Sequence, residues 1–168
     1  LNFECGTYEM GGPRSTPKIE NFPHSSSNPS SSECVEIAID VDFYTFESFN
    51  STCYQAVEWS LAILAGVNTI YMADLDSLIN VQASYVHVWE TPDPYANFTT
   101  TGVLTSLRDE WNVNPDLQAV ERDIVHLMTK RNTSTGGVAY LDVLCLESFA
   151  FGFSSALTDE LYPEIWNG

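Results

Sequence analysis

The sequence predicts an α/β layer fold, and three observations carry that prediction. Val35, Ile37, Ile39 and Val41 alternate with Glu36, Ala38, Asp40 and Asp42, a period-two strand pattern rich in β-branched residues. From Cys53 to Asp74, Trp59, Ile63, Val67, Ile70 and Tyr71 recur at three- and four-residue spacing, which predicts a long amphipathic helix. Ile79 to Trp89 is again β-rich and ends at the turn signal Thr91-Pro92-Asp93-Pro94. Strand, helix and strand in this order imply parallel strands joined by crossovers. The 168 residues, 44% hydrophobic and 12% aromatic, suffice for one core.

The remaining elements follow in order. Residues 1–33 have no hydrophobic period, and Gly11-Gly12-Pro13, Pro17, Pro23, Pro29 and the serine-rich run from Ser25 to Ser32 break regular structure. This stretch reads as an extended, Ser/Pro-rich arm or linker, with Phe3, Tyr8, Met10, Ile19 and Phe22 as apolar anchors. The domain proper runs over 34–168. Ser51-Thr52 reads as the cap of the long helix. Val103, Leu104, Leu107 and Trp111 share one face of a shorter helix, opposite Arg108, Asp109 and Glu110. Leu117, Val120, Ile124 and Leu127 fit a helical period, yet Ile124 to Met128 also fits a short buried strand, and periodicity does not arbitrate over so few residues. Gly136-Gly137 opens an apolar strand from Val138 to Leu146, and Phe149 to Phe153 makes another.

Charge removes whole classes of function. With 23 acidic and 6 basic residues the formal charge is -17, which repels phosphate backbones and anionic lipid surfaces. Nucleic acid is excluded as a partner. The acidity fits a secreted protein, a calcium binder or a partner of basic surfaces. No run of about 18 apolar residues stands out, so no membrane insertion is expected. The chain begins at Leu1 without a leader pattern, which reads as a mature or excised segment. Sequons at Asn50, Asn97 and Asn132 point to a glycoprotein. Cys5, Cys34, Cys53 and Cys145 form no CxxC pair, which excludes a zinc ribbon, and their even count fits disulfides in an oxidising, extracellular compartment.

Catalytic machinery is thin. His24, His87 and His126 lack the H-x-x-x-H spacing that puts two imidazoles on one helix face. Gly152-Phe153-Ser154-Ser155-Ala156 lacks the second glycine of a nucleophile elbow, and no glycine-rich loop precedes a helix. Asp40 and Asp42 share a face at the carboxyl end of the first strand, where a calcium pair is conceivable and a solvated strand end is the preferred reading. Glu36, early in the same strand, calls for a partner or a cation.

Four ordered segments carry a resemblance: Val35 to Asp42, Val81 to Trp89, Arg122 to Thr129, and Gly137 to Cys145. Together, over about Cys34 to Leu157, they resemble the front half of the reprolysin-like (adamalysin, ADAM-type) metzincin proteases. The resemblance implies a metzincin-like upper subdomain: a twisted, mostly parallel five-stranded sheet with an antiparallel edge strand and two long helices. It makes the stretch around Ile124 a strand. It assigns Gly137, Val138, Ala139 and Tyr140 to the edge on which an extended peptide, or a neighbouring chain, is laid. It makes Glu36 and Asp123 candidate calcium ligands. The family's zinc motif, H-E-x-x-H-x-x-G-x-x-H, does not occur in these 168 residues. In the family that helix follows a stretch like Leu161-Tyr162-Pro163-Glu164, so the resemblance implies a subdomain truncated before its catalytic helix and catalytically inert as it stands. Cys5-Gly6 is similar to the zinc-capping cysteine of latent relatives, although the secretory context favours a disulfide from Cys5 to Cys34.

Two functions from different classes follow. One is the N-terminal part of a secreted zinc metalloendopeptidase domain. The alternative is a non-enzymatic extracellular structural glycoprotein, in which the arm of one copy covers the sheet edge of the next and builds a filament.

Overall fold

β1 (Glu33–Val41) passes from solvent into the core along its length: Glu33 and Cys34 are exposed, and Ala38 through Val41 are buried. It is followed by α1 (Phe43–Ser48), α2 (Cys53–Asp74) and β2 (Ile79–Val88), then α3 (Thr100–Val113), α4 (Pro115–Gln118), β3 (Ile124–Met128), β4 (Gly137–Ala139) and β5 (Phe151–Ser154). These elements come from a computed structural model, which describes residues 33–95, 99–133, 135–144 and 146–159. The arm, Cys5, Asn97 and Cys145 lie outside the described residues.

The sheet has the order β2-β1-β3-β5-β4. β1 pairs in parallel with β2 and β3, β3 in parallel with β5, and β4 runs antiparallel to β5 as the edge. Strand alternation divides the core in two. On one face Ile39 and Val41 pack with Val81 and Met128 beneath Ala56 and Leu64 of α2. On the other face Ala38, Val125, Leu127, Phe151 and Phe153 pack beneath Val103, Leu104, Leu107 and Trp111 of α3. β1 is therefore buried on both faces toward its carboxyl end, with Asp40 the one polar residue among Ala38, Ile39 and Val41.

Several local expectations are corrected. α1 has no apolar period to announce it; it forms because Asp42 caps it, accepting from Thr45 N–H at 3.1 Å. Thr52 stands at the N-cap of α2 but its side chain does not cap it. α2 is also less one-sided than its spacing implied. Trp59 and Ile63 pack on the sheet cluster, whereas Ile70 and Tyr71 are exposed. Nor is it true that no segment is apolar enough for a bilayer: α2 is long and apolar enough by length and composition, with only Glu58 and Asp74 charged. It packs chiefly on β2, and also touches β1 and α1, as a sheet-packed helix.

The ambiguous stretch resolves into both candidates, α4 ending at Gln118 and β3 starting at Ile124. The strand expected from Val138 to Leu146 stops at Ala139: Tyr140 N–H adds one last bond to Phe151 O, the first residue of β5, and among the described residues no strand lies beyond it to pair with. The chain then turns through Asp142 at φ 58°, with Leu141, Leu144 and Leu146 exposed.

Leu107 is fully buried at the centre of the α3 layer. Leu107→Ala is expected to cost about 3 kcal/mol, read as a lower urea midpoint with an unchanged slope.

Candidate functional site

The carboxyl end of β1 is the most polar part of the interior. Asp40 and Asp42, expected at a solvated strand end, are both completely buried. The Asp40 carboxylate accepts the indole N–H of Trp111 at 2.7 Å and that of Trp89 at 3.1 Å. Burial pushes Asp40 up to about 7, against these donors, which favour its charged form. Asp42 accepts from Thr45 N–H and from the Thr129 hydroxyl, and pairs with Arg131 at 3.0 Å. Arg131 reaches on to Asp93 at 2.9 Å, and Asp93 also accepts from Phe43 N–H. Both carboxylates are thus engaged by donors of the protein itself. The Pro92-Asp93-Pro94 turn explains the placement, because it returns Asp93 and the buried ring of Tyr95 over the end of the sheet.

At the other side of the sheet the structure places the expected edge. Gly137, Val138 and Ala139 pair with Ser154, Phe153 and Gly152, and Tyr140 N–H continues the ladder to Phe151 O at 3.1 Å. Among the described residues nothing pairs with the outer side of β4. Val138 and Tyr140 point into the α3 layer and are buried, while Ala139 is exposed. Arg108 of α3 donates to the Tyr140 hydroxyl at 3.3 Å and lies over the rings of Tyr140 and Phe149. Gly137 is required by close approach rather than by its dihedrals: a Cβ there would collide with the carbonyl oxygen of Phe153. Gly152 likewise leaves room for Ala139 and for His126, whose Nε2 is 3.0 Å from Ser154 Oγ. Burial lowers His126 to about 4, so this imidazole is neutral near pH 7.

Glu36 and Asp123 are brought together, as the resemblance implied. Asp123 Oδ2 accepts from Glu36 N–H at 2.8 Å, and Asp123 N–H donates to Glu36 O at 2.8 Å. The Glu36 carboxylate itself turns to Gln82 Nε2 at 3.3 Å. A pocket of about 350 Å³ adjoins them, lined by Glu33, Cys34, Arg122, Asp123 and Glu147. Calcium takes six to eight oxygens, and no group of three or more His, Cys, Asp or Glu side chains converges among the described residues. Asn50 and Asn132 are exposed. Among the described residues Cys34 and Cys53 are free thiols and do not pair with each other.

The zinc that the resemblance implies does not fit the residues described. His87 pairs with Asp40 in register, on the α3 face, where its ring meets Trp89 and Trp111. His126 pairs with Ile39, which faces α2. The two imidazoles lie on opposite faces of the sheet, and His87 is on the strand farthest from β4. One ion does not reach both.

Two substitutions check this geometry. Gly137→Ala is expected to cost about 1–3 kcal/mol, because the obstacle is backbone that no side-chain rotation relieves. For Asp40 the folded value of about 7 lies above the ordinary carboxyl value of 3.8. Its neutral form supports the fold fully below the lower value, and that support is lost as pH rises through the higher one. The stability of wild type relative to Asp40→Asn should therefore fall between about pH 4 and about pH 7 and level off above that, read from urea midpoints; His126, on the other face of the sheet, titrates in both proteins and cancels in the difference.

Comparison with known proteins agrees with this architecture. Among solved structures, a chain described as "Structure of a chaperone-substrate complex" is similar with a TM-score of 0.56 at 10% identity, over 74% of this chain and 21% of that one. At that identity the likeness is one of fold, and the present chain spans about a fifth of that chain's length. No curated protein matches the sequence. A family model described as Metallo-peptidase family M12B Reprolysin-like matches residues 60–162, from the middle of α2 to beyond β5. With more than half of the sequence matched, and the sheet order and antiparallel edge as described, the chain belongs to the M12B reprolysin-like metallopeptidase family.

Proposed function

We propose that this chain supplies the peptide-holding sheet of a secreted zinc metalloendopeptidase domain, and that it holds peptide without cleaving it unless a zinc helix is joined to it. The observation that carries the reading is the β4 edge. Tyr140 N–H is spent on β5, so by alternation the N–H of Ala139 points outward, available to an extended peptide. Arg108 and Tyr140 fix that edge to the α3 layer and the glycine at 137 lets it close on the β5 backbone, so it is presented to a peptide already in strand conformation. Preorganisation of this kind lowers the ordering cost of binding. The chain's own residues then bind and orient a backbone; water activation requires ligands that the sequence does not contain. In the same reading Asn50, Asn97 and Asn132 carry glycans, and Glu36 with Asp123 contributes to a calcium shell completed by other oxygens.

The test uses Ala139→Pro, which removes the outward donor at a position where an edge strand tolerates proline. Fluorescein-labelled extended peptides should bind the wild-type chain and lose binding in the variant, with circular dichroism unchanged. Equal binding by both, or none by either, sinks the reading. The coding sequence beyond Gly168 should carry H-E-x-x-H within about 20 residues. Zinc analysis of the protein from its natural source separates the classes, since stoichiometric zinc favours the protease and its absence favours the structural glycoprotein.

A further inference from the structure

α2 presents to solvent an apolar surface that its own sheet does not cover. Over its last turn and the loop into β2, Ile70 is 58% exposed, Tyr71 44%, Met72 36%, Leu75 38% and Leu78 50%. Five large apolar side chains within nine residues form a patch rather than a scatter. Asp74 and Asp76, both exposed, rim it.

The chain itself arrives at this place. Glu33 N–H donates to Leu78 O at 2.8 Å, so whatever precedes β1 enters directly beside the patch. The distribution of basic residues points the same way. Four of the six are engaged within the domain: Arg108 with Asp109, Arg122 over the Trp111 ring, Lys130 with Asp159, and Arg131 with Asp42 and Asp93. The other two, Arg14 and Lys18, stand in the arm next to Ile19 and Phe22. Arg14 to Pro23 thus combines two cations and one acid, Glu20, with two large apolar side chains, a net positive segment that complements an apolar patch edged by two carboxylates. The intervening Ser25 to Ser32 is a polar spacer of eight residues that reaches up to about 26 Å when extended.

We propose that the segment from Arg14 to Pro23 docks on the exposed end of α2 of its own chain, with Ile19 and Phe22 covering Tyr71, Met72 and Leu75. The arm is then an intramolecular strap over the sheet-packed helix. The interaction does not involve the β4 edge, so its success or failure is independent of peptide binding.

Hydroxyl-radical footprinting of the full 168-residue chain at low micromolar concentration tests the strap. In the double variant Ile19→Asp with Phe22→Asp, oxidation of Met72 and Tyr71 should at least double relative to wild type, with unchanged circular dichroism. Raising the salt concentration should loosen wild-type protection, because part of the attraction is between exposed charges. Ala139→Pro should leave Met72 oxidation unchanged. Equal oxidation of Met72 and Tyr71 in wild type and the double variant overturns the proposal. Protection that increases with protein concentration also overturns it, because a second copy is then the cover.

Discussion

Two carboxylates at the end of β1 hold this fold together. A charged or neutral carboxyl inside a protein is tolerated only when its hydrogen bonds are supplied, and here each acid draws donors from a different part of the chain. Asp40 receives indole N–H groups from Trp89, just past β2, and from Trp111 in α3. Asp42 receives the first turn of α1, the hydroxyl of Thr129 after β3, and Arg131, which is itself tied to Asp93. Sequence separations of 49, 71 and 87 residues are bridged by these contacts. The position of α3 over the sheet, and the path of the loop after β2, follow from satisfying two acids that have nowhere else to turn.

That anchoring lets the far side of the sheet remain open. Because α3 is fixed over β3 and β5, Arg108 stands where it can hold Tyr140, and Tyr140 in turn fixes the end of a strand only three residues long. A strand this short has little pairing energy of its own. Its order derives from the α3 layer beneath it and from two glycines that let backbones approach closely, at 137 and 152. On the opposite face Lys130 lies over the Phe49 and Trp59 rings and pairs with Asp159, while Trp59 Nε1 donates to Thr158 O. These contacts direct the chain leaving β5 across the α2 face. The exit from β5 and the β4 edge are therefore held by separate clusters, one on each side of the sheet.

Local pattern made much of this visible in advance. The alternation from Val35 to Val41 and the aromatic and β-branched run from Ile79 were sufficient for β1 and β2, because the period of side-chain orientation is a property of the backbone and needs no partner. Val103, Leu104, Leu107 and Trp111 likewise identified the buried face of α3. The period failed wherever a neighbour decided the outcome. It extended a strand through Leu146, although apolar residues form a strand only as far as another strand can pair with them. It read Asp40 and Asp42 as solvated, although the donors that accommodate them come from Trp89, Trp111, Thr129 and Arg131. The tryptophans were legible as apolar residues; their indole N–H groups, which make them partners for a buried acid, carry no sequence signal.

The sequence alone determined the class of fold, the parallel connectivity, the strongly acidic charge, and the similarity to metzincin proteases in four ordered segments. Those are consequences of composition and of short-range order along the chain. Tertiary structure decided which face His87 and His126 occupy, that Glu36 meets Asp123 through its backbone, that both acids at the end of β1 are buried, and that the end of α2 remains uncovered among the described residues. Each of these depends on contacts between residues tens of positions apart. Such contacts are fixed by the packing of layers on both faces of one sheet, and no local periodicity encodes them.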